Sequence, residues 1–490
     1  MKKLEWNRAA LQELGGRGKL LLPGDPGYTA YTSDVVLDGH PDAVVRPRDE
    51  AEVRDILAVA SDRGVPVTVA GGQTSVTGSS VAEEGLLLAT ERMDRILDLG
   101  EDPGTGRMCA VVEPGIFLGE LQRRLESEGW FYPPDPTSRN EARIGATVAT
   151  NATGEDTLLY GPTRRWVREL RVVTAAGGVR TLRRSPRNTP PEEKATAGYY
   201  PAQEEIDLLI GSEGTLGIVT RVTVDLIQLP PSFFTGVAFF DSLIGALAFV
   251  VAARAEKDIK PRALELIDRP CLDLVSGNPE GITWPDSTAA AVLFRQEHAD
   301  GAEKERLLNR WLGLLKQHLV ESPELLDHVL LVEDRAGQER LREFRHRIPA
   351  TINEVVSGFR EEGGGKVSTD WWVPHAELPG FLGRWGTLIR EASLTAFMFG
   401  HVGNGHPHVN FLPENGKEKS RAEGLALAMC REAVALGGGV AGEHGLGKLK
   451  RNLLAVQYSP ERIREMRDIK KQWDPGWILG RGNLFPGDLA

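Results

Sequence analysis

Three glycine-rich segments between positions 70 and 220 constrain this chain more than any other feature. The first, AGGQTSVTG (70–78), directly follows the apolar run VPVTV; the second region joins PPDPTS (133–138) to IGATVATNATG (144–154); the third is IGSEGTLGI (210–218). Closely spaced backbone N–H groups and hydroxyls suit a pyrophosphate, and glycine lets the backbone approach a large planar ligand. The first segment alone fits a tight turn equally well, but three such segments are hard to explain as turns.

Alternating strand and helix patterns run along most of the chain. β-Branched residues predict strands at 43–47 and 65–71, and an amphipathic pattern predicts a helix at 52–64. A second alternation from about 225 to 415 includes the predicted strands TGVAFF, ALELID, AAAVLFR and VLLVED, and the tail from 416 is mostly helical. Residues 184–202 mix proline, charge and glycine without periodicity, which predicts an exposed excursion between packed elements. The patterns predict two α/β domains with a terminal helical piece.

Composition excludes several classes of protein. The 58 Lys+Arg and 69 Asp+Glu residues leave a net charge of −11, which argues against a general binder of nucleic acid or anionic membrane. The three cysteines, Cys109, Cys271 and Cys430, lie far apart, so they predict neither an iron–sulfur cluster, a zinc knuckle nor a disulfide framework. Reduced thiols predict a cytoplasmic protein.

Two segments, one at the N-terminus and one in the middle of the chain, bear on membrane insertion, and the pattern of neither predicts it. Residues 1–16 contain two lysines but no continuous apolar core, which argues against a signal peptide. Residues 233–253 have about the length of a spanning helix, but Asp241 interrupts them. This stretch predicts a short strand, an Asp/Ser cap and a buried helix, and we expect no transmembrane segment.

Two glycine-rich segments near the C-terminus carry a cluster of histidines. FGHVGNGHPHVN (399–410) supplies His401, His406 and His408, and GEHGLGK (442–448) supplies Glu443 and His444. Imidazoles and a carboxylate from two such segments suit a divalent metal with open positions for a substrate. A lone histidine is more often a core or surface residue, but this clustering favours a metal site.

The three glycine-rich segments, with VEPG (112–115) and YG (160–161), resemble the FAD-binding domain of the vanillyl-alcohol oxidase/p-cresol methylhydroxylase superfamily. The resemblance implies a flavin whose pyrophosphate lies against residues 71–78 and whose ring lies near 134–154 and 211–218. Several members attach FAD covalently through a histidine in the first loop, where this chain has Gln73, so we expect non-covalent FAD. The implied cofactor-binding residues are Gly71, Gly72, Gln73, Thr74, Ser75, Gly78, Pro134, Asp135, Thr137, Ser138, Gly145, Thr147, Asn151, Gly154, Tyr160, Gly161, Glu213, Gly214, Gly217, Ile218 and Asn483.

The C-terminal half resembles that of FAD-linked D-2-hydroxy acid dehydrogenases, which include D-lactate dehydrogenases, the flavin subunit of glycolate oxidase and D-2-hydroxyglutarate dehydrogenase. Their pattern, GHxGDGNxHxN followed by GEHGxG, implies that His401, His408 and Glu443 bind a divalent metal such as zinc, manganese or iron. It also implies that His444 is the catalytic base and that Asn410 contacts the substrate.

Two positions depart from that pattern: Asn404 stands where aspartate is usual, and His406 where asparagine is usual. Both border the implied site, so either can alter substrate or metal preference, and a hydrogen-bonding role behind the ligands is expected for His406. Arg345, in FRHRIPATI, matches the family arginine and is expected to clamp the substrate carboxylate, with Arg342 and Arg347 as alternatives.

The resemblance implies an α+β architecture in three parts. These are a p-cresol methylhydroxylase-type FAD-binding domain over residues 1–225, an α/β substrate (cap) domain with an antiparallel sheet over 226–415, and a C-terminal helical segment over 416–490 that completes the active site. The implied reaction is metal-assisted oxidation of a D-2-hydroxy acid (lactate, glycolate or 2-hydroxyglutarate class) to the 2-oxo acid, with hydride transfer to FAD. The alternative is a non-redox reaction like that of alkylglycerone-phosphate synthases, which share the flavin domain.

Electrons must leave through an external acceptor, because the chain has no cysteine cluster. A quinone, an electron-transfer flavoprotein or a separate iron–sulfur subunit would each serve, dioxygen is a further alternative, and the sequence does not choose among them. We expect a small-molecule substrate, no nucleic-acid partner, and a location in the cytoplasm or at the periphery of a membrane; the sequence allows a homodimer.

Overall fold

The computed structural model describes residues 19–185, 194–201, 204–359 and 362–486. The signal-peptide prediction for residues 1–16 therefore lies outside the described residues. The chain divides into two compact units. Unit 1 comprises the described residues up to Ala152, Pro162–Leu229 and those from Glu443 onward, and unit 2 comprises Thr153–Gly161 and Pro230–Gly442. The segment 416–490, predicted as one helical piece, is thus divided between the units after Gly442.

The α-helices of the described residues are, in chain order, α1 (Glu50–Arg63), α2 (Leu118–Ser127), α3 (Ile144–Thr150), α4 (Thr157–Tyr160), α5 (Thr163–Trp166), α6 (Glu205–Leu209), α7 (Leu243–Ala255), α8 (Arg269–Leu274), α9 (Gly301–His318), α10 (Arg335–Ser357), α11 (Leu378–Glu391), α12 (Gly416–Ala435), α13 (Leu454–Gln457) and α14 (Pro460–Trp473). Short 3₁₀ turns cover Tyr28–Tyr31, Pro323–His328, Val402–Asn404 and Arg451–Leu453.

Unit 1 contains two main sheets. Its strands are β1 (Lys19–Leu21), β2 (Ala43–Arg46), β3 (Val67–Ala70), β4 (Leu86–Ala89), β5 (Ile96–Glu101), β6 (Met108–Val112), β7 (Trp130–Phe131), β8 (Val167–Val173), β9 (Val179–Arg183), β10 (Ile218–Asp225) and β11 (Ile227–Gln228). One sheet has the order β1-β2-β4-β3, with β2, β4 and β3 parallel. The other is antiparallel, with the order β5-β6-β10-β8-β9, and β7 pairs with β11.

The predicted strand–helix–strand start of unit 1 is confirmed by β2, α1 and β3. Helix α1 begins after Asp49, whose side chain accepts the backbone N–H of Glu52, and ends at Gly64, which has a left-handed φ of 63°. Its apolar residues recur at helical spacing and are buried: Val53, Ile56, Leu57 and Ala60. This stripe packs against strand residues of the parallel sheet, including Val45 and Val67, and so fixes the start of the first glycine-rich loop.

Unit 2 is built on one seven-stranded sheet, and the predicted antiparallel sheet is confirmed. Its strands are β12 (Ser232–Phe240), β13 (Pro261–Asp268), β14 (Ala290–His298), β15 (Leu330–Val332), β16 (Val367–Ser368), β17 (Ala396–His401) and β18 (His406–Phe411). Their order is β15-β12-β14-β13-β17-β18-β16, with every neighbouring pair antiparallel. Helix α10 packs on one face, where Phe344 and Ile348 join Phe239, Ile267 and Phe399 in the core.

The longest apolar stretch of the sequence forms β12 and α7, as predicted. Ser242 caps α7 by accepting the backbone N–H of Gly245 at 3.1 Å. Among the helices of the described residues, none combines the length and the apolar composition needed to cross a membrane.

The prediction that residues 184–202 form an exposed excursion is wrong for its described part from 194 to 200. Lys194, Thr196 and Tyr199 are buried. The Tyr199 hydroxyl hydrogen-bonds with Thr215 Oγ1 at 2.7 Å, and its ring meets Phe485 edge-on at 5.8 Å. These partners lie far away in the sequence, so local composition does not indicate the burial. Residues 186–193 and 202–203 lie outside the described residues.

Candidate active site

The hairpin formed by β17 and β18 brings three histidines together in unit 2. His401 ends β17 and pairs in register with His406, the first residue of β18. The connecting turn needs Gly405, because its φ is 69° and a Cβ there would lie 1.9 Å from the Val373 carbonyl oxygen. His406 and His408 are two residues apart on a strand and so share a face. The ring centroids of His401 and His408 lie 5.5 Å apart, and those of His406 and His408 lie 4.8 Å apart.

A buried carboxylate connects His401 with Arg345. Glu265 lies on β13, the strand next to β17. Its Oε1 lies 2.7 Å from His401 Nδ1, and its Oε2 accepts hydrogen bonds from Arg345 Nε and Nη2 at 3.1 and 2.9 Å. Burial alone would raise the pKa of Glu265, but its interactions with His401 and Arg345 lower it below its ordinary value. Because the carboxylate holds Nδ1 of His401, Nε2 is the ring nitrogen that would bind a metal.

The predicted substrate clamp, Arg345, therefore has two of its nitrogens on Glu265, and it also lies over the Phe399 ring at 4.9 Å. The two alternatives have other carboxylate partners. Arg342 bonds to Glu339 three positions earlier on the partly exposed side of α10, and Arg347 bonds to Glu280. Of the three arginines, Arg345 is the one that lies beside the histidines.

His406 has a carboxylate partner of its own. His406 Nε2 lies 3.1 Å from Asp370 Oδ1, and both side chains are fully buried. The ring also packs against Gly442, where a Cβ would lie 2.7 Å from His406 Cε1. Ligand atoms of Asp370, His406 and His408 lie within 4.8 Å of one another, so His406 stands beside the predicted metal ligand His408. This geometry fits the hydrogen-bonding role expected for His406.

Asn410 lies two residues after His408 on β18. Its Oδ1 accepts a hydrogen bond from Ser368 Oγ at 2.6 Å. Its Nδ2 is buried and has no hydrogen-bond partner among the described residues. A buried amide donor without an acceptor is costly, so it suits an acceptor supplied by a ligand.

The segment that carries Glu443 and His444 belongs to unit 1. Glu443 Oε1 pairs with Lys194 Nζ at 2.8 Å, and both side chains are largely buried. His444 is about one-third exposed, and its carbonyl oxygen accepts a hydrogen bond from Thr77 Oγ1 at 3.4 Å. Immediately after them, the backbone N–H groups of Leu446 and Gly447 donate to the carboxylate of Glu213.

The predicted flavin residues fall in both units. Gly154, Tyr160 and Gly161 lie in unit 2. Those in unit 1 are Gly71, Gly72, Gln73, Thr74, Ser75, Gly78, Pro134, Asp135, Thr137, Ser138, Gly145, Thr147, Asn151, Glu213, Gly214, Gly217, Ile218 and Asn483.

The first glycine-rich loop has the properties of an anion-binding loop. Residues 72–76 are half-buried, and their backbone N–H groups have no acceptor among the described residues. Gly72 packs so closely that a Cβ would lie 1.9 Å from the Glu141 carbonyl oxygen. A run of backbone N–H groups without protein acceptors is suited to binding the oxygens of a pyrophosphate. The side-chain amide of Gln73 donates a hydrogen bond to the Ser33 carbonyl at 2.6 Å.

Asn151, Glu213 and Asn483 are among the predicted flavin residues whose side chains also have protein partners. Asn151 Oδ1 accepts the N–H of Arg164 at 2.9 Å, and both oxygens of Glu213 accept backbone N–H groups. Asn483 donates to the carbonyls of Ser79 and Glu213 and accepts from Lys448. These side chains hold loops together.

Sequence reasoning missed Glu265 and Lys194. A signal for Glu265 was present, because ALELID places a carboxylate inside an otherwise apolar strand, where an unpaired charge is costly. Lys194 gave no such signal, since it lies in a segment without periodicity.

Comparison with known proteins matches two domain families to the chain, and the boundary between them lies near Leu229, where unit 1 gives way to unit 2. A family described as FAD linked oxidases, C-terminal domain, matches residues 229–484, and an FAD binding domain matches residues 41–183. The glycolate oxidase subunit GlcD of Bacillus subtilis is 31% identical, covering 94% of this chain and 93% of its own length. The D-lactate dehydrogenase of Archaeoglobus fulgidus is 30% identical over 90% of each chain. The D-2-hydroxyglutarate dehydrogenase of Stutzerimonas stutzeri is 28% identical over 97% of this chain and 98% of its own.

Among solved structures, an alkyldihydroxyacetonephosphate synthase superposes with a TM-score of 0.70 over 98% of this chain and 86% of that chain. The sequence identity is 16%, so this likeness concerns the fold alone. The chain belongs to the FAD-linked oxidases. It is an FAD-linked oxidoreductase that joins an FAD-binding domain of the vanillyl-alcohol oxidase type to the family's C-terminal domain, as predicted.

Proposed function

We propose that this protein oxidises a D-2-hydroxy acid of the lactate, glycolate or 2-hydroxyglutarate class to the corresponding 2-oxo acid. The observation that carries the proposal is the buried cluster of His401 and His408, with Arg345 and the unpaired amide of Asn410 beside it. Imidazoles suit a hydroxyl-binding metal, and a guanidinium and an amide suit a carboxylate. Relatives named for glycolate, D-lactate and D-2-hydroxyglutarate support the same class.

The residues present fit a divalent metal such as zinc, manganese or iron. We assign His401 and His408 as two ligands and Glu443 as the third. Glu443 directly follows Gly442, which lies against the His406 ring, and this covalent connection supports the assignment. Two imidazoles and one carboxylate leave positions open for a substrate.

When bound, the metal supplies a Lewis acid for the α-hydroxyl and FAD supplies the acceptor for a hydride. Asn410 and Arg345 bind and orient the carboxylate of the substrate. His444 takes the hydroxyl proton, a task that suits an imidazole near neutral pH. The Cα hydrogen leaves with both electrons of its C–H bond, as a hydride for the FAD acceptor, and the C–O single bond becomes a carbonyl. Reoxidation requires an external acceptor, for which we propose a quinone, an electron-transfer flavoprotein or an iron–sulfur subunit.

Anaerobic mixing of the FAD-loaded protein with D-2-hydroxy acids tests the proposal. We expect the flavin absorbance to bleach with D-lactate, D-2-hydroxyglutarate or glycolate. For either chiral acid the L-enantiomer is the matched control and should not bleach the flavin. Bleaching by none, together with alkyl transfer to a fatty alcohol, would support the synthase-like alternative that the fold also allows.

A further inference from the structure

Glu213 makes contacts that its place in a flavin-binding motif does not explain. Its side chain is buried, and its two oxygens accept the N–H groups of Leu446 and Gly447 at 2.8 and 2.7 Å. Its own backbone has a left-handed φ of 52°, and its N–H donates to the Ala149 carbonyl at 2.8 Å. The unusual backbone conformation therefore aims the carboxylate at the segment that follows His444.

The facing segment is shaped to receive this carboxylate. Gly445 has a φ of 68°, and a Cβ there would lie 2.7 Å from the carboxyl carbon of Glu213. Only a residue without a side chain allows the backbone to approach so closely. Both N–H groups then point at one anion, which is the arrangement of an anion-binding turn with its anion supplied by the protein.

The same segment is tied to the predicted pyrophosphate loop. The Thr77 carbonyl accepts the N–H groups of Lys448 and Leu449 at 3.0 and 3.1 Å. Asn483 bridges the two sides by donating to the carbonyls of Ser79 and Glu213 at 2.9 and 3.0 Å. One hydrogen-bonded cluster within unit 1 thus comprises residues 77–79, Glu213, residues 446–449 and Asn483.

We propose that Glu213 is a positioning residue that holds the segment carrying Glu443 and His444 against the flavin-binding loop, and not a flavin ligand. Its oxygens already accept two N–H groups, and a buried carboxylate beside a phosphate would be repelled. The inference rests on the proposed function in one respect, the role of His444 as base. Through this contact, the flavin-binding loop restricts the position of His444, the proposed base.

Glu213→Gln tests the proposal, because glutamine keeps the shape but offers one acceptor oxygen to two N–H donors. At about pH 8, where the Glu213 carboxylate is ionised, we expect amide hydrogen exchange in residues 445–449 of the holoenzyme to accelerate about 10- to 100-fold, the equivalent of losing a hydrogen bond to a charged group. FAD content and the flavin spectrum should stay within about twofold of wild type, and kcat should fall about tenfold or more with little change in KM, since only the placement of the base is disturbed.

Glu205→Gln is the matched control, because Glu205 pairs with Arg180 at the surface of the same unit. It should change none of these quantities. Gly445→Ala disturbs the same contact with Glu213 through the facing backbone and should reproduce the changes in hydrogen exchange and kcat. This second variant tests the proposal if Glu213→Gln fails to fold. Loss of FAD with unchanged exchange at 445–449 would overturn the proposal. The exchange measurement needs no substrate, so a wild-type protein that no D-2-hydroxy acid reduces would refute the proposed function alone.

Discussion

Replacing Glu265 tests the arrangement of unit 2 most directly, because this carboxylate contacts both a proposed metal ligand and the proposed substrate-binding arginine. Glu265, His401 and Arg345 are all at least nine-tenths buried. In Glu265→Gln the negative charge disappears, while the guanidinium of Arg345 stays buried opposite a neutral amide. His401 Nδ1 also loses the partner that fixes which ring nitrogen faces the metal.

The size of the effect follows from these contacts. Removing one partner of a buried ion pair costs about 3–5 kcal/mol. Because the glutamine oxygen still accepts one hydrogen bond, we expect the free energy of unfolding to fall by about 3 kcal/mol, the lower end of that range. Loss of a carboxylate behind a metal-binding histidine further predicts a decrease of about 10- to 100-fold in metal affinity.

Denaturant unfolding and a metal titration followed by elemental analysis would measure the two effects. Glu339→Gln is the control, since Glu339 pairs with Arg342 on the same helix as Arg345 but with both side chains partly exposed. Such a pair contributes about 0–1 kcal/mol, so its loss should leave metal affinity unchanged. Normal stability and metal affinity in Glu265→Gln would refute the reasoning. An active wild-type protein that contains no metal would refute the metal proposal and leave the stability prediction standing.

Three further predictions concern unit 1. Acid precipitation should release FAD into solution, because Gln73 stands where a covalent histidine would be; flavin retained in the washed pellet would contradict non-covalent binding. His444→Asn should keep metal and FAD but slow flavin reduction about 10²–10⁴-fold, whereas Glu443→Gln should lower metal occupancy and recover partly with added metal; equal metal loss in both would show that the roles are wrongly divided. Burial raises the pKa of Glu213 from 4.5 to about 7, so its contribution to stability is complete below about pH 4.5 and is lost as the pH rises through about 7. The stability of Glu213→Gln relative to wild type should therefore increase by up to about 3 kcal/mol from pH 4.5 to 8 in thermal unfolding, and a pH-independent difference would contradict this.

Structural features that depend on residues close together in the sequence could be predicted. The period of two in HPHVN and the glycines before it place His406 and His408 on one face after a turn, and the structure has that hairpin. The cap at Ser242 and the helix after Asp49 follow equally local rules. Each of these features depends on residues fewer than ten positions apart.

The partners of the functional side chains could not be predicted in the same way. Glu265 is 136 positions from His401, and Lys194 is 249 positions from Glu443. Which strand lies beside β17 decides the first pair, and the burial of an apparently irregular segment decides the second. The assignment of Arg345 shows the same limit, because the motif left Arg342 and Arg347 as alternatives and the contact of Arg345 with Glu265 depends on the arrangement of distant elements.

The two buried histidines His401 and His406 each meet a carboxylate through one ring nitrogen, Glu265 in one case and Asp370 in the other. A neutral imidazole carries its proton on one nitrogen only, so a carboxylate that accepts a hydrogen bond from this N–H determines where the other nitrogen points. An unpaired carboxylate inside an apolar strand would cost several kcal/mol, so Glu265 is stable there only with His401 and Arg345 in place. Lone histidines are common in protein cores, whereas a carboxylate in the middle of an apolar strand is rare. For this chain the glutamate of ALELID is therefore the more specific sequence signal of the site, even though it is not expected to touch the substrate.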